Sequence, residues 1–142
     1  MNDIVINKIQ SIQRCVERAR QEYQLDPDGF ATNYTRQDAA ALNLLRACEQ
    51  SIDLANHLIQ TCKMGIPTAS AESFDLLRAK QVIDLTLSER LKKMVHFRNI
   101  VIHQYQRMDI EIVISVILSG MDDLILFCDY VKAFISSHAT KG

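Results

Sequence analysis

With 142 residues the chain has the length of one domain and can bury a core without disulfide staples. Its composition, 48 % hydrophobic and 23 % charged with four Gly and two Pro, excludes a disordered or low-complexity chain and is that of a compact helical one. The formal net charge of −1 excludes uniform attraction to nucleic acid, so any such attraction has to come from uneven charge.

The charge is uneven. From Arg90 to Arg107 the chain carries Arg90, Lys92, Lys93, Arg98 and Arg107 with no acid, whereas Asp109 to Asp129 carries five acids and no base. The N-terminal "MNDIVINKIQ" lacks the basic start and long apolar run of a signal peptide. Residues 110–135 are very apolar, but Glu111, Asp122, Asp123, Asp129 and Lys132 interrupt them well short of a bilayer span. A soluble, cytoplasmic protein without a membrane segment is expected. Cys15, Cys48, Cys62 and Cys128 are far apart, with no C-x-x-C pair, and read as reduced thiols. Cys48, Cys62 and Cys128 fall on apolar helical stripes.

Helical periodicity runs through the chain, and no stretch alternates with period two long enough to form a strand. The expected fold is all-α: an up-and-down bundle of about five helices in a single domain, residues 1–142. The first helix covers about Asp3 to Tyr23, with Val5, Ile9, Ile12, Val16, Ala19 and Tyr23 as one seam, and "LDPDGF" breaks it. Thr35 and Asp38, at capping-box spacing, open a second helix with Leu45, Cys48, Ile52, Ala55, Ile59 and Cys62 as its seam. Gly65 and Pro67 are expected to stop it. A short third helix carries Phe74, Leu77 and Val82, and "TLSE", residues 86–89, is a second capping box that opens the fourth.

The fifth helix has the strongest rhythm: Ile110, Ile114, Ile117, Met121, Leu124, Cys128, Val131 and Ile135. A second row of Val113, Val116, Phe127, Tyr130 and Phe134, with Ile112 and Leu126, makes it apolar on two sides. Two-sided cover implies either complete burial in the bundle or a subunit interface, and a homodimer is the favoured expectation. Gly120, in mid-helix, costs about 1 kcal/mol relative to Ala, which close approach of a neighbouring helix would offset.

The fourth helix breaks its own pattern. Its seam runs Leu87, Leu91, Met94, then Arg98, then Val101 and Tyr105, so Arg98 sits where the rhythm calls for an apolar residue. His103 is five residues on, roughly 140° around an ideal helix, so the two do not face each other. Asn99, four residues before His103, shares its face. A composite Arg and His site therefore needs either a helix end that unwinds near His103 or two copies meeting across a symmetric interface.

A guanidinium fork suits a phosphate, and an imidazole titrates near neutrality and moves protons. Together they suit phosphodiester cleavage of RNA, whose 2′-hydroxyl supplies the nucleophile, with the His as acid or base and the cation stabilising the phosphorane. His96 and His103 share a face, but about 10.5 Å of rise is too far for one metal ion, and no carboxylate lies between them. No metal site or cofactor is expected. On spacing alone, other readings stay open. Arg98 is also the kind of residue that snorkels from a bundle edge or pairs with an acid on the fifth helix, and His103 suits a helix C-terminus. Tyr105 fits half-buried packing, and the basic block fits a solvated face opposite the acidic helix. His57, His96 and His138 have no feature that selects them.

Arg98, four intervening residues, His103, one residue and Tyr105 form R-x4-H-x-Y. With "LLRACEQSIDLANHLI" (44–59), "GIPTASAESFDLL" (65–77) and "LSERLKKMVHFRNIVIHQYQRMD" (87–109) in order, the chain resembles HepT-like toxins of the HEPN superfamily over about residues 35–135. The resemblance implies an all-helical, metal-independent endoribonuclease toxin of a type II toxin–antitoxin system, with paired motifs facing a cleft between two subunits. It implies phosphate binding by Arg98, acid or base catalysis by His103, and polar help from Asn99. It further implies RNA, tRNA or mRNA, as substrate and an MntA-type nucleotidyltransferase antitoxin as partner, which neutralises the toxin by AMPylating Tyr105. The other reading is a non-catalytic helical scaffold, or a nucleotide- or RNA-binding subunit, of a nucleotidyltransferase complex.

Overall fold

A computed structural model describes residues 3–139; residues 1–2 and 140–142 of the expected domain lie outside the described residues. Among the described residues there are helices and no strand. Helix α1 (Asp3–Gln24) buries Val5, Ile9, Ile12, Val16 and Ala19 of the seam read from the sequence, with Cys15 beside it, while Tyr23, the last member of that seam, is half-buried. A 3-10 turn at Phe30–Thr32 seats Phe30 in the core, where Tyr23 meets it edge-on with ring centroids 5.3 Å apart.

Helix α2 (Tyr34–Thr61) is the longest, about 42 Å at 1.5 Å per residue. Its N-cap is Asn33, whose side chain accepts from the Arg36 N–H at 3.1 Å. The expected Thr35–Asp38 box is not the cap, because Thr35 is already inside the helix. The buried face is broader than the expected seam and is rotated towards Leu44, Ala47, Leu54 and Leu58. Leu45 is only half-buried and Cys62 is exposed. The cause is position: α2 packs against α1, α3, α4 and α6, so no single stripe covers its contacts, and its buried alanines allow close approach.

Helix α2 ends without Gly65. Lys63 takes the left-handed conformation (φ 54°), the Lys63 N–H donates to Gln60 O at 3.4 Å, and the Met64 N–H donates to Ile59 O at 2.9 Å. That is a Schellman closure, with Met64 as the buried residue behind it. Helix α3 (Ser70–Ala79) closes the same way through Gln81 (φ 62°) and Val82. Val82 is thus core, as expected, but it lies beyond the helix rather than in it.

Helix α4 (Leu85–Gln104) is capped by Asp84, which accepts from the Leu87 N–H at 2.7 Å, so "TLSE" is not its capping box. Tyr130 donates to the other oxygen of the same carboxylate at 2.8 Å. The cap bond, reinforced by Tyr130, holds Asp84 below the usual carboxylate range. A 3-10 turn, Tyr105–Arg107, follows α4.

The expected fifth helix is not continuous. It divides into α5 (Ile110–Ser115), a π turn at Val116–Gly120 and α6 (Asp122–Ala139). Its buried residues are Val113, Ile117, Met121, Leu124, Phe127, Cys128 and Val131, while Ile110, Ile114 and Ile135 are only half-buried. Two four-residue steps in succession from Val113 to Met121 exceed an α-helical turn, and the wider π turn absorbs the excess. The Met121 N–H donates to Val116 O at 2.9 Å, the i→i+5 bond of that turn. Gly120 does not admit a neighbouring helix: the three atoms nearest to a Cβ placed there all belong to Val116, on its own segment.

Arg20 of α1 stabilises this break. Its Nε donates to Ile117 O at 3.2 Å and its Nη2 to Asp122 Oδ1 at 2.6 Å, satisfying a carbonyl and pairing with the first residue of α6. Arg20→Ala removes both bonds and is expected to cost about 1–2 kcal/mol, lowering the melting temperature by roughly 3–6 °C. An unchanged melt would show that the π turn holds without Arg20.

The core joins all six helices. Phe74 of α3 meets Phe127 of α6 edge-on at 5.6 Å, both fully buried. The second apolar row of the C-terminal segments is only partly covered: Val113 and Phe127 are buried, but Ile112 and Leu126 stand 49 % and 42 % exposed, as does Leu118, outside the row, at 55 %, so burial within one chain does not absorb this apolar surface.

Candidate functional site at the end of the fourth helix

The basic block lies on α4, and its acids come mainly from α2 and α3. Lys92 reaches Asp75 at 3.1 Å and Arg98 reaches Glu49 at 2.7 Å. Arg90 meets Asp123 of α6 at 3.5 Å, the one such link between the basic block and the acidic segment among the described residues.

Arg98 fills its seam position by turning inward. Its Nη1 donates to Glu49 Oε1 of α2 and its Nη2 to Ser70 Oγ of α3, the latter at 3.3 Å, so one guanidinium ties three helices together. Its acid is on the second helix, not the fifth. The Arg98 side chain is only 16 % exposed, and its Nε is buried with no hydrogen-bond partner. A buried donor in that state costs free energy until something accepts from it. The Glu49 charge also bears on Cys48 beneath it, whose thiol is pushed up to about 12, chiefly by burial. Burial does the same to Cys128, so these two thiols stay protonated at neutral pH. Cys15 is buried as well, and the exposed cysteine is Cys62, at the C-cap of α2, off the stripe to which it was assigned.

His103 and Asn99 are both exposed on α4. The helix continues past His103 and leaves helical geometry at Gln104 (φ −139°, ψ 23°), so it does not unwind early enough to swing His103 towards Arg98. Within one chain the guanidinium points into the bundle and the imidazole faces outward. Of the three β-branched residues between them only Val101, a seam residue, is buried; Ile100 is half-buried and Ile102 is 50 % exposed. His103, Gln104, Tyr105, Gln106 and Arg107 line a shallow depression at the helix end.

Tyr105 is half-buried and donates from its hydroxyl to Asp38 Oδ1 of α2 at 3.0 Å. Burial first, then the Asp38 hydrogen bond and charge, push its phenol up to about 12. The Asp38 carboxylate, read from the sequence as a helix cap, thus belongs to the tyrosine. Glu49, Ser70 and Asp38 had no local signal: they lie 49, 28 and 67 residues from the groups they hold. Among the described residues no group of three or more His, Cys, Asp or Glu is placed to hold a metal ion. No described helix is long and apolar enough to cross a membrane.

An all-helical bundle with R-x4-H-x-Y running across the end of its fourth helix is the arrangement that the resemblance to HEPN proteins implies. The chain matches the ribonuclease HepT-like family model over residues 12–131 and belongs to that family. It is 45 % identical over 133 residues to the mRNA nuclease HepT of Shewanella oneidensis, covering 94 % of this chain and 99 % of the relative. A structure of the tri-AMPylated Shewanella oneidensis HEPN toxin in complex with the MNT antitoxin superposes with a TM-score of 0.88 at 45 % identity, covering 94 % of this chain and 99 % of that one. A toxin–antitoxin crystal structure with AMP-PNP gives 0.88 at 44 % identity, covering 93 % and 99 %. The cytosolic protein of unknown function YutE from Bacillus subtilis shares the fold, with a TM-score of 0.76 at 18 % identity over 93 % of this chain and 91 % of its own.

Proposed function

We propose that this chain is the toxin of a toxin–antitoxin pair: a metal-independent endoribonuclease of one domain, residues 1–142, acting on RNA in the cytoplasm as a homodimer or higher oligomer. The observation that carries it is an intact R-x4-H-x-Y at an accessible helix end in a near full-length relative of a named mRNA nuclease. Arg98 holds the scissile phosphate, His103 transfers the proton, and Asn99 assists from the same helix face. Because Arg98 and His103 leave α4 in different directions, a second copy supplies the complementary pair. The exposed Ile112, Leu118 and Leu126 support such an interface. An MntA-type nucleotidyltransferase is the antitoxin and Tyr105 its AMPylation target, a reading supported by the tri-AMPylated relative. An added AMP places a bulky anion beside the helix end and excludes RNA.

The scaffold reading draws on one observation, the engagement of Arg98 by Glu49 and Ser70 within a single chain. Cleavage of RNA by purified protein in EDTA separates the two. The toxin reading expects cleavage that persists without divalent metal and falls roughly 10²- to 10⁴-fold in His103→Ala, whose exposed side chain can be removed without touching the core. Intact RNA with the wild-type protein, together with harmless induction in cells, would establish the scaffold.

A further inference from the structure

The Tyr105 phenol is held as well as displayed. Its hydroxyl proton points at Asp38, an exposed carboxylate, across a 3.0 Å bond. Two depressions flank the pair. One is lined on its apolar side by Leu42, Leu45, Val101 and Ile102, and the other by Ala31, Met108 and Val113; Asp38, Tyr105 and Gln106 belong to both. A partner can therefore approach the phenol oxygen from either side while its proton is already engaged. The other titratable groups lining these depressions and the adjoining one are Tyr34, His103 and Arg107, and of the whole set Asp38 is the one hydrogen-bonded to the phenol.

Resting on the reading of Tyr105 as the adenylylated residue, the geometry points to Asp38 as the base that takes the Tyr105 proton during nucleotidyl transfer, a base supplied by the modified protein rather than by the modifying enzyme. The co-reactant is a nucleoside triphosphate. A lone pair on the phenol oxygen forms a bond to the α-phosphorus, and the bond from the α-phosphorus to the bridging oxygen of the β-phosphate breaks. Pyrophosphate leaves with that electron pair, and the phenolic proton passes to Asp38 Oδ1. Nothing is oxidised or reduced.

The chemistry calls for such a group. With the phenol raised to about 12, only roughly one molecule in 10⁵ is phenolate at pH 7, so waiting for ionisation is slow. A neutral phenol must shed its proton as the new bond forms, and a carboxylate within hydrogen-bond reach accepts it, as the catalytic aspartate of kinases does for a substrate hydroxyl. Once Asp38, which is exposed, has released that proton to water, its carboxylate faces a phosphodiester anion in place of a hydrogen-bond donor, and the two charges repel.

The experiment follows AMP on Tyr105 by peptide mass spectrometry, using the full chain, a purified MntA-type nucleotidyltransferase and magnesium ATP between about pH 6 and 9. D38N is expected to lower the turnover of modification at pH 7 by roughly 10²-fold or more while leaving KM for the protein acceptor within a few-fold. Its rate should also climb about tenfold per pH unit where the wild type is flat. D38E, which keeps a carboxylate, should recover part of the turnover and covers the case in which D38N loosens the turn. Modification of D38N at the wild-type rate and pH profile, or a loss confined to KM, would overturn the role of Asp38 while leaving Tyr105 as the modified residue. Absence of AMP from wild-type Tyr105 would overturn both.

Discussion

Arg98→Ala is expected to lower RNA cleavage by roughly 10²- to 10³-fold, the loss that follows removal of one donor from a developing oxyanion. The variant tests an arginine with two uses in the molecule. Its two terminal nitrogens are engaged by Glu49 and Ser70, which fix the fork, while its Nε is buried without an acceptor. Removing the side chain leaves Glu49 unpaired, but Glu49 is 40 % exposed and can rehydrate, so the stability cost is about 1–2 kcal/mol, small beside the catalytic loss. Arg98→Lys separates the two uses. It keeps the charge and the contact with Glu49 but loses the planar fork, and so should melt near the wild type while cleaving at least 10-fold more slowly. Cleavage at the wild-type rate by a folded Arg98→Ala protein would assign this arginine to the α2–α3–α4 tie alone.

Tyr105→Phe is expected to abolish neutralisation. The substitution removes the oxygen proposed to accept AMP but keeps the ring, which packs against the core. Its structural cost is the Asp38 hydrogen bond, about 1 kcal/mol. The expected result is all-or-none: cells co-expressing the antitoxin survive induction of the wild type and arrest on induction of Tyr105→Phe, and mass spectrometry finds no AMP at this position. Survival with an unmodified Tyr105→Phe protein would mean that the antitoxin acts by occluding the cleft instead.

Where one side of a helix is buried, its periodicity was enough to read the element. Helix α1 is the clean example, with every seam residue from Val5 to Ala19 in the core. Where burial has several sides or the backbone departs from 3.6 residues per turn, the same rhythm misled. It placed Leu45 and Cys62 in the seam of a helix that touches four others, and it ran one helix through a π turn. Capping was misread for a related reason. Asn33 and Asp84 each sit just ahead of a sequence that also satisfies the box spacing, and spacing does not say which residue first leaves the helix. The candidate residues themselves were legible because Arg98 violates its own seam and the motif is local. Their holders were not. Asp38, Glu49 and Ser70 are ordinary polar residues on other helices, and only the tertiary fold brings them to the motif.

Asp38 and Glu49 are eleven residues apart, three turns of helix to within about 20°, so both stand on one stripe of α2. Arg98 lies on α4 and Tyr105 opens the 3-10 turn that directly follows it. The two contacts therefore work as a two-point mounting between antiparallel rods: Glu49 grips α4 at Arg98 and Asp38 grips its far end at Tyr105. A rod held at one point can still pivot, whereas one held at two keeps both its roll and its tilt. The azimuth at which α4 holds His103 is thus set by α2, and the proposed attachment of a nucleotide to Tyr105 would release one of the two fixings that set it.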